Sequence, residues 1–337
     1  MTVYFDLENL VSFLKLAKAE ETRDTYRSVL SHLNIGFNFS KDEVKQMSAD
    51  RDTVSQFLNQ MNSGRNNLVH DFLKDKFPAR PITANFKAHA PAPLPLGSIA
   101  LINDENLSAC KAAGNAFIGG VGEELDILKQ LRRPDDFKFQ KDVLVGSPEF
   151  SNWSQLTPDV LPFHDLIISD RYFLRSDPDT FEHNYRGLLT ALLTGKRTKV
   201  SIVILALKPK QPTRPDHPAP WVFEDYEAVT CSIAERLTVH APDFTLVWAD
   251  NEKELPHGRN IITNYQWFNS GDSFMYFWPN GQLRGQGDKL SISSLADREN
   301  RQLAQKVLIQ LQEKLTPLLA KPGAVLGNGV SSYLRFE

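Results

Sequence analysis

The sequence predicts an α/β protein of two domains, and three observations predict it. The 337 residues are long for one hydrophobic core and sufficient for two. From Phe163 onward, short apolar runs alternate with stretches whose apolar residues recur every three to four positions, the pattern of strands and helices around a largely parallel sheet. The first part of the chain opens on a strand, an acidic turn and a helix, and repeats that design after a proline-rich connector.

The first element is a strand over Val3–Phe5 that turns into a helix through "VYFDLENLVSFLKLAK". "DTVSQFLNQM" and "NNLVHDFLKDKF" follow with helical spacing. "HAPAPLPLG", residues 89–97, has prolines that deny it both helix and ladder hydrogen bonds, so it reads as an extended connector. A second strand, Ile99–Ile102, again runs into an acidic turn and a helix. The two turns match, Asp6-Leu7-Glu8-Asn9-Leu10 against Asn103-Asp104-Glu105-Asn106-Leu107. Small polar residues and prolines from Gly146 to Pro162 mark the border, giving a mixed α/β domain over 1–150 and a second domain over 151–337.

The second domain reads in order as strand "HDLIISDRYFL", helix "FEHNYRGLLTALLTG", buried strand "KVSIVILAL", helix "WVFEDYEAVTCSIAERLT" and strand "DFTLVWAD". A strand pair, "NIITNYQWFN" and "SFMYFW", and a terminal helix "LADRENRQLAQKVLIQLQEKL" complete it. The prolines between Lys208 and Pro220 exclude regular structure and suggest a flap over the end of the preceding strand.

Bulk composition removes several function classes. A formal net charge of -3 gives no whole-chain basic field for nucleic acid and no acidic tail, leaving only a local basic face. The two cysteines, Cys110 and Cys231, are far apart, which excludes a disulfide framework and a cysteine zinc site. The opening "MTVYFDLENL" lacks the charge and apolar pattern of a secretory leader, and no apolar run is long enough to span a bilayer, so a cytoplasmic protein is expected.

Two sets of residues carry chemistry. In the first domain Asp6, Glu8, Asp104 and Glu105 end two strands, the layout of metal-dependent nucleases of the PIN and NYN type, in which carboxylates hold a divalent ion such as Mg2+. The same two turns read more readily as helix caps, with Asp6, Asn9, Asp104 and Asn106 favouring the positive ends of the following helices. In the second domain "HGRNIITNYQWFNSG" spaces His257, Arg259, Asn264 and Gly271 as a histidine, a cation, an amide and a turn glycine.

These motifs give the second domain its resemblance. Asp170-Arg171-Tyr172-Phe173 at one strand end, "NYRGLL" in a helix, His257-Gly258-Arg259 and Ser270-Gly271-Asp272-Ser273-Phe274 resemble one half of the phospholipase D-like superfamily. The similarity is greatest to the phospholipase D-like C-terminal domain of microtubule-interacting-and-trafficking proteins, and it covers residues 163–277. The resemblance implies an α/β sandwich in which His257 falls on the phosphorus-attacking nucleophile, Asn264 on its orienting acid, Arg259 with Arg171 on the phosphate cations and Gly271 on the turn.

The departures from that pattern matter. Arginine in place of lysine still grips phosphate through two donors. An amide in place of the carboxylate cannot stabilise an imidazolium, and Asp272 sets a negative charge beside the turn. No other histidine has a cation and an acid at the motif spacing, so a complete active site requires a homodimer. The resemblance therefore implies a degenerate protein that binds phosphodiester or nucleic-acid ligands or docks a partner in a larger assembly, such as a bacterial anti-phage system; the trafficking relatives also suggest membrane contact, but no polybasic stripe is evident, so none is expected. Its competitor is an active nuclease or phosphodiesterase, through a His257 dimer or the acidic set. Arginines and lysines interleaved with Tyr172, Phe173, Tyr185, Trp221, Tyr265 and Trp267 would suit a backbone-tracking groove with stacking platforms.

Overall fold

The computed structural model describes residues 1–62, 98–103, 107–113, 117–131, 140–174, 178–196, 199–209, 220–284 and 288–327. The expected connector at 89–97, the helix "NNLVHDFLKDKF" and most of the insertion after Lys208 lie outside them. The protein is α/β throughout, in two compact units: Met1–Phe139 with Leu295–Glu299, and Gln140–Ser294 with Asn300–Glu337. Among the described residues no helix is long and apolar enough to cross a membrane.

The first unit is built on four parallel strands, β1 (Thr2–Phe5), β2 (Asn34–Phe37), β3 (Ser98–Leu101) and β4 (Phe117–Gly119), in the order β2-β1-β3-β4. Helices α1 (Leu7–Leu16), α2 (Glu20–His32), α3 (Lys41–Gln46), α4 (Arg51–Asn62), α5 (Leu107–Ala113) and α6 (Glu124–Gln130) occur between and after the strands. β1 is flanked by β2 on one side and β3 on the other, in matching register from Thr2. The chain order reverses between β1 and β3, and the carboxyl ends at such a reversal form the crevice where open α/β sheets bind ligands. The expected strands are present within one residue, whereas β2 and β4 are additional: "NIGF" and "FIG" are too short to show a period.

The second unit carries eight strands: β5 (Gln140–Leu144), β6 (Asp165–Ser169), β7 (Ser201–Leu207), β8 (Asp243–Ala249), β9 (Arg259–Thr263), β10 (Gln266–Ser270), β11 (Lys289–Ser294) and β12 (Val325–Gly327). Their order is β12-β8-β7-β6-β9-β10-β11-β5. β6, β7 and β8 are parallel, and the strands from β9 outward alternate in direction. β5 pairs with β11, so residues 140–144 belong to this sheet rather than to a first domain ending at 150.

The central strands are apolar on both faces because both are covered. Leu166, Ile168, Ile202, Ile204, Leu246 and Trp248 enter the cluster shared with α7 (Pro178–Leu193) and α8 (Phe223–Arg236). Ile167, Val203, Leu205 and Val247, one position out of phase, enter the cluster of α9 (Arg298–Leu319) through Leu311 and Leu315. Each such aliphatic side chain contributes about 2 kcal/mol when fully buried. Gly187 in α7 is required for this packing: a Cβ there would lie 2.7 Å from the buried Trp153 ring.

One expected pairing is corrected. "NIITNYQWFN" is not a single strand but the hairpin β9–β10, turned at Thr263–Gln266, where the Thr263 hydroxyl accepts the Gln266 N–H at 3.0 Å. "SFMYFW" forms only an isolated bridge, Phe277 to Leu283, and the partner of β10 is β11.

Candidate functional site

β9 begins where β6 ends, with Asn260 opposite Ser169, so the residues after β6 meet the residues before β9 at one sheet edge. Asp170 is fully buried there. One carboxylate oxygen accepts the Ser273 hydroxyl at 2.6 Å and the Phe274 N–H at 2.8 Å, and the other accepts the Tyr172 N–H at 3.0 Å. Burial pushes the Asp170 pKa up, opposed by those three donors and by the nearby Arg259 charge. The corner "DRYF" and the turn "SGDSF" are thus tied together by one carboxylate.

Arg259 is 9% exposed and is flanked by exposed His257 and Gly258. Its Nη1 donates to His257 Nδ1 at 3.0 Å and to the His257 carbonyl at 3.1 Å. The guanidinium lies 5.8 Å from the Tyr172 ring centre. Its Nε is buried and has no hydrogen-bond partner. A buried N–H donor left unpaired costs roughly 1–3 kcal/mol, more when it carries charge.

The His257 contact fixes a tautomer. Guanidinium is only a donor, so Nδ1 of His257 must accept with its lone pair, which leaves the proton of a neutral ring on Nε2. Attack on phosphorus by Nε2 needs the opposite tautomer, with Nδ1–H held by an acceptor. A cation therefore stands where a triad places an acid.

Asn264 is corrected. It lies five residues beyond Arg259 at the far end of β9, about 16 Å away along an extended strand. Its Oδ1 accepts the N–H groups of His164 at 2.8 Å and Asp165 at 2.9 Å, and its Nδ2 faces Asp165 Oδ2 at 3.3 Å. It clamps the start of β6 to the β9–β10 turn and cannot orient His257.

Arg171 is corrected too. Its Nε donates to the Pro256 carbonyl at 2.9 Å and its Nη2 to the Leu255 carbonyl at 2.7 Å, so the side chain staples the loop before His257. Gly271 is not in the left-handed region, and a Cβ there would meet nothing within 4 Å, so the backbone does not demand glycine. Asp272 is exposed and raises the pKa of Asp288 after burial. His164 opens β6 at the same end as Asn264, with Nδ1 2.5 Å from Asp165.

The expected groove of cations and stacking rings is not assembled among the described residues. Phe173, Tyr185 and Tyr265 are core, Lys196 is buried over the Phe163 ring, and Arg186 and Lys199 are paired with Glu182 and Asp243. Tyr172 and Trp267 keep partial exposure.

In the first unit the acidic set also differs from expectation. Asp6 is buried, yet its side chain does not cap α1. Oδ1 accepts Asn38 Nδ2 at 2.6 Å and Oδ2 accepts the Asn103 N–H at 2.8 Å, joining the ends of β1, β2 and β3. Glu8 is exposed on α1, and positions two apart on a helix do not face each other, so it does not join Asp6. Asp104 and Glu105 lie outside the described residues. Among the described residues no three His, Cys, Asp or Glu side chains converge as metal ligands. Asp6 and Glu8 therefore do not meet as a pair of ligands.

Sequence reasoning missed two residues here, Glu124 and Asn38, and read a third, Asn9, only as a cap. Glu124 is 2% exposed and accepts from Asn9 Nδ2 at 2.9 Å, Ser12 Oγ at 3.0 Å and the Gly122 N–H at 2.9 Å. Asn38 and Asn9 complete the arrangement. The signal for Glu124 was "GGVGEELD", glycines and then acids after an apolar triplet, concealed by the brevity of β4.

No family model matches the chain, and no curated protein matches it. Among solved structures, a phosphatidylserine synthase of Haemophilus influenzae Rd KW20 is similar over 56% of this chain and 40% of its own, at 18% identity and a TM-score of 0.32. The chain thus spans less than half the length of that synthase. TrmBL2, an archaeal chromatin protein with a novel mode of DNA binding, is similar over 88% of this chain and 95% of its own, at 12% identity and a TM-score of 0.26. Likenesses at these scores carry no argument about function.

Proposed function

We propose that the second unit is a degenerate phospholipase D-like domain that binds an anionic phosphodiester group, as in a nucleic acid, without cleaving it. The observation that carries the reading is the guanidinium of Arg259, whose Nε is buried without an acceptor beside a histidine locked in the wrong tautomer for attack. An anionic oxygen is the acceptor that a guanidinium edge suits best. Arg259 supplies the charge; Asp170, Tyr172 and Arg171 hold the corner and loop around it. Membership of a multi-component assembly, including an anti-phage one, rests on the resemblance alone.

The competing reading, a phosphodiesterase completed by a second copy of His257, requires Arg259 to release Nδ1 and an acid to replace it. Incubation with single- and double-stranded DNA and RNA in EDTA separates the two. Salt-sensitive binding without cleavage, weakened tenfold or more in Arg259→Ala and retained in His257→Ala, is the expected result. Cleavage abolished by His257→Ala establishes the competitor.

A further inference from the structure

The strongest unexplained group in the first unit is Asn9. Its side chain is fully buried, Nδ2 donates to Glu124, and Oδ1 has no hydrogen-bond partner. Turning the amide over would set an oxygen against the carboxylate, so the orphaned atom is the carbonyl oxygen. Asn9 stands three residues after Asp6, at the third position of α1, where it shares a face with the residue preceding the helix. Two buried carboxylates lie at the carboxyl edge of the sheet, Asp6 after β1 and Glu124 after β4, and the Asn9 amide contacts the second of them.

The charge at Glu124 is equally unexplained. Its three donors, an amide, a hydroxyl and a backbone N–H, are all neutral. The neighbouring cation, Lys111, is engaged by Glu123, which also accepts the Gly120 N–H. Burying a carboxylate without a cation is costly, and here the amide that contacts it carries an unpartnered carbonyl oxygen. Hard oxygen donors from one or two carboxylates and an amide, with remaining positions left to water or a phosphate, are what Mg2+ or Mn2+ takes.

We propose that Asp6, Asn9 and Glu124 hold one divalent cation of the Mg2+ class at the reversal point of the first sheet. This set replaces Asp6, Glu8, Asp104 and Glu105, sharing only Asp6 with it, and is independent of the Arg259 reading. The cation satisfies Asn9 Oδ1 and neutralises Glu124.

The test is a Mn2+ titration of the full, EDTA-stripped chain, followed by calorimetry, with circular dichroism to verify folding. Saturable binding of one Mn2+ per chain is expected, weakened tenfold or more by Glu124→Gln and unchanged by Arg259→Ala. Asn9→Asp adds a carboxylate, so its unfolding temperature should fall without metal and be restored by Mn2+, with binding at least tenfold tighter than wild type. Absence of saturable binding overturns the proposal, as does an affinity that neither substitution changes. Should Glu124→Gln fail to fold, the metal dependence of Asn9→Asp decides alone: present, it supports the site; absent, it refutes it.

Discussion

The two units bury polar atoms without partners at equivalent places, and the two atoms want opposite things. In the first unit it is an acceptor, Asn9 Oδ1, among carboxylates beyond the end of β1. In the second it is a donor, Arg259 Nε, beside the end of β6, with the Trp248 indole N–H on β8 a second unpaired donor. Both edges follow parallel strands whose carboxyl ends collect functional side chains in α/β sheets. The contrast teaches that edge chemistry is set by a few side chains and not by the shared architecture: one edge leaves an acceptor unpaired, the other a donor.

Asp170 ties the second edge together, and its removal has the largest expected effect. Asp170→Ala strands the Ser273 hydroxyl, two backbone N–H groups and the Arg259 charge, and should lower stability by about 3 kcal/mol. Urea unfolding followed by tryptophan fluorescence measures it; a loss below about 1 kcal/mol would mean that this carboxylate does not organise the edge.

A slightly smaller effect is expected at Lys196, whose pKa burial lowers to about 8 from 10.5. Between those values the unfolded chain holds a proton that the native chain has released, so stability rises as pH rises through that window and is lower below it. The gain is up to about 3 kcal/mol. In Lys196→Met the rise should vanish, which unfolding midpoints at pH 8 and pH 10.5 would reveal; equal slopes in both proteins would contradict it.

The smallest effect sharpens the contrast between the two ends of β9. Asn264→Asp restores the carboxylate of the motif but places it against Asp165, at the end remote from His257. It should cost about 1 kcal/mol at neutral pH, less in acid, and create no cleavage. Appearance of phosphodiesterase activity in this variant would show that Asn264 does reach the histidine.

Much of the fold was legible because β6, β7 and β8 are long apolar runs between amphipathic helices, a pattern that few architectures share. β2, β4, β5, β11 and β12 were not, being three to six residues long and in part charged or exposed. At the site, spacing put His257 and Arg259 at the opening of a strand, where β9 begins, but gave Asn264 a role its strand position forbids, because a strand carries each residue about 3.3 Å further from its start. Which partners Arg171 and Asp6 choose depends on backbone atoms far away in sequence, Leu255 and Asn103, that no local pattern announces.

The central claim is that Arg259 is the anion-binding group of the second unit. Its most direct test is the salt dependence of oligonucleotide binding by fluorescence anisotropy, comparing wild type with Arg259→Gln while unfolding midpoints are followed. The account predicts affinity reduced tenfold or more, and a slope of log affinity against log salt reduced by about one contact, uniformly across sequences. Unchanged affinity and unchanged slope in a folded Arg259→Gln protein would contradict it.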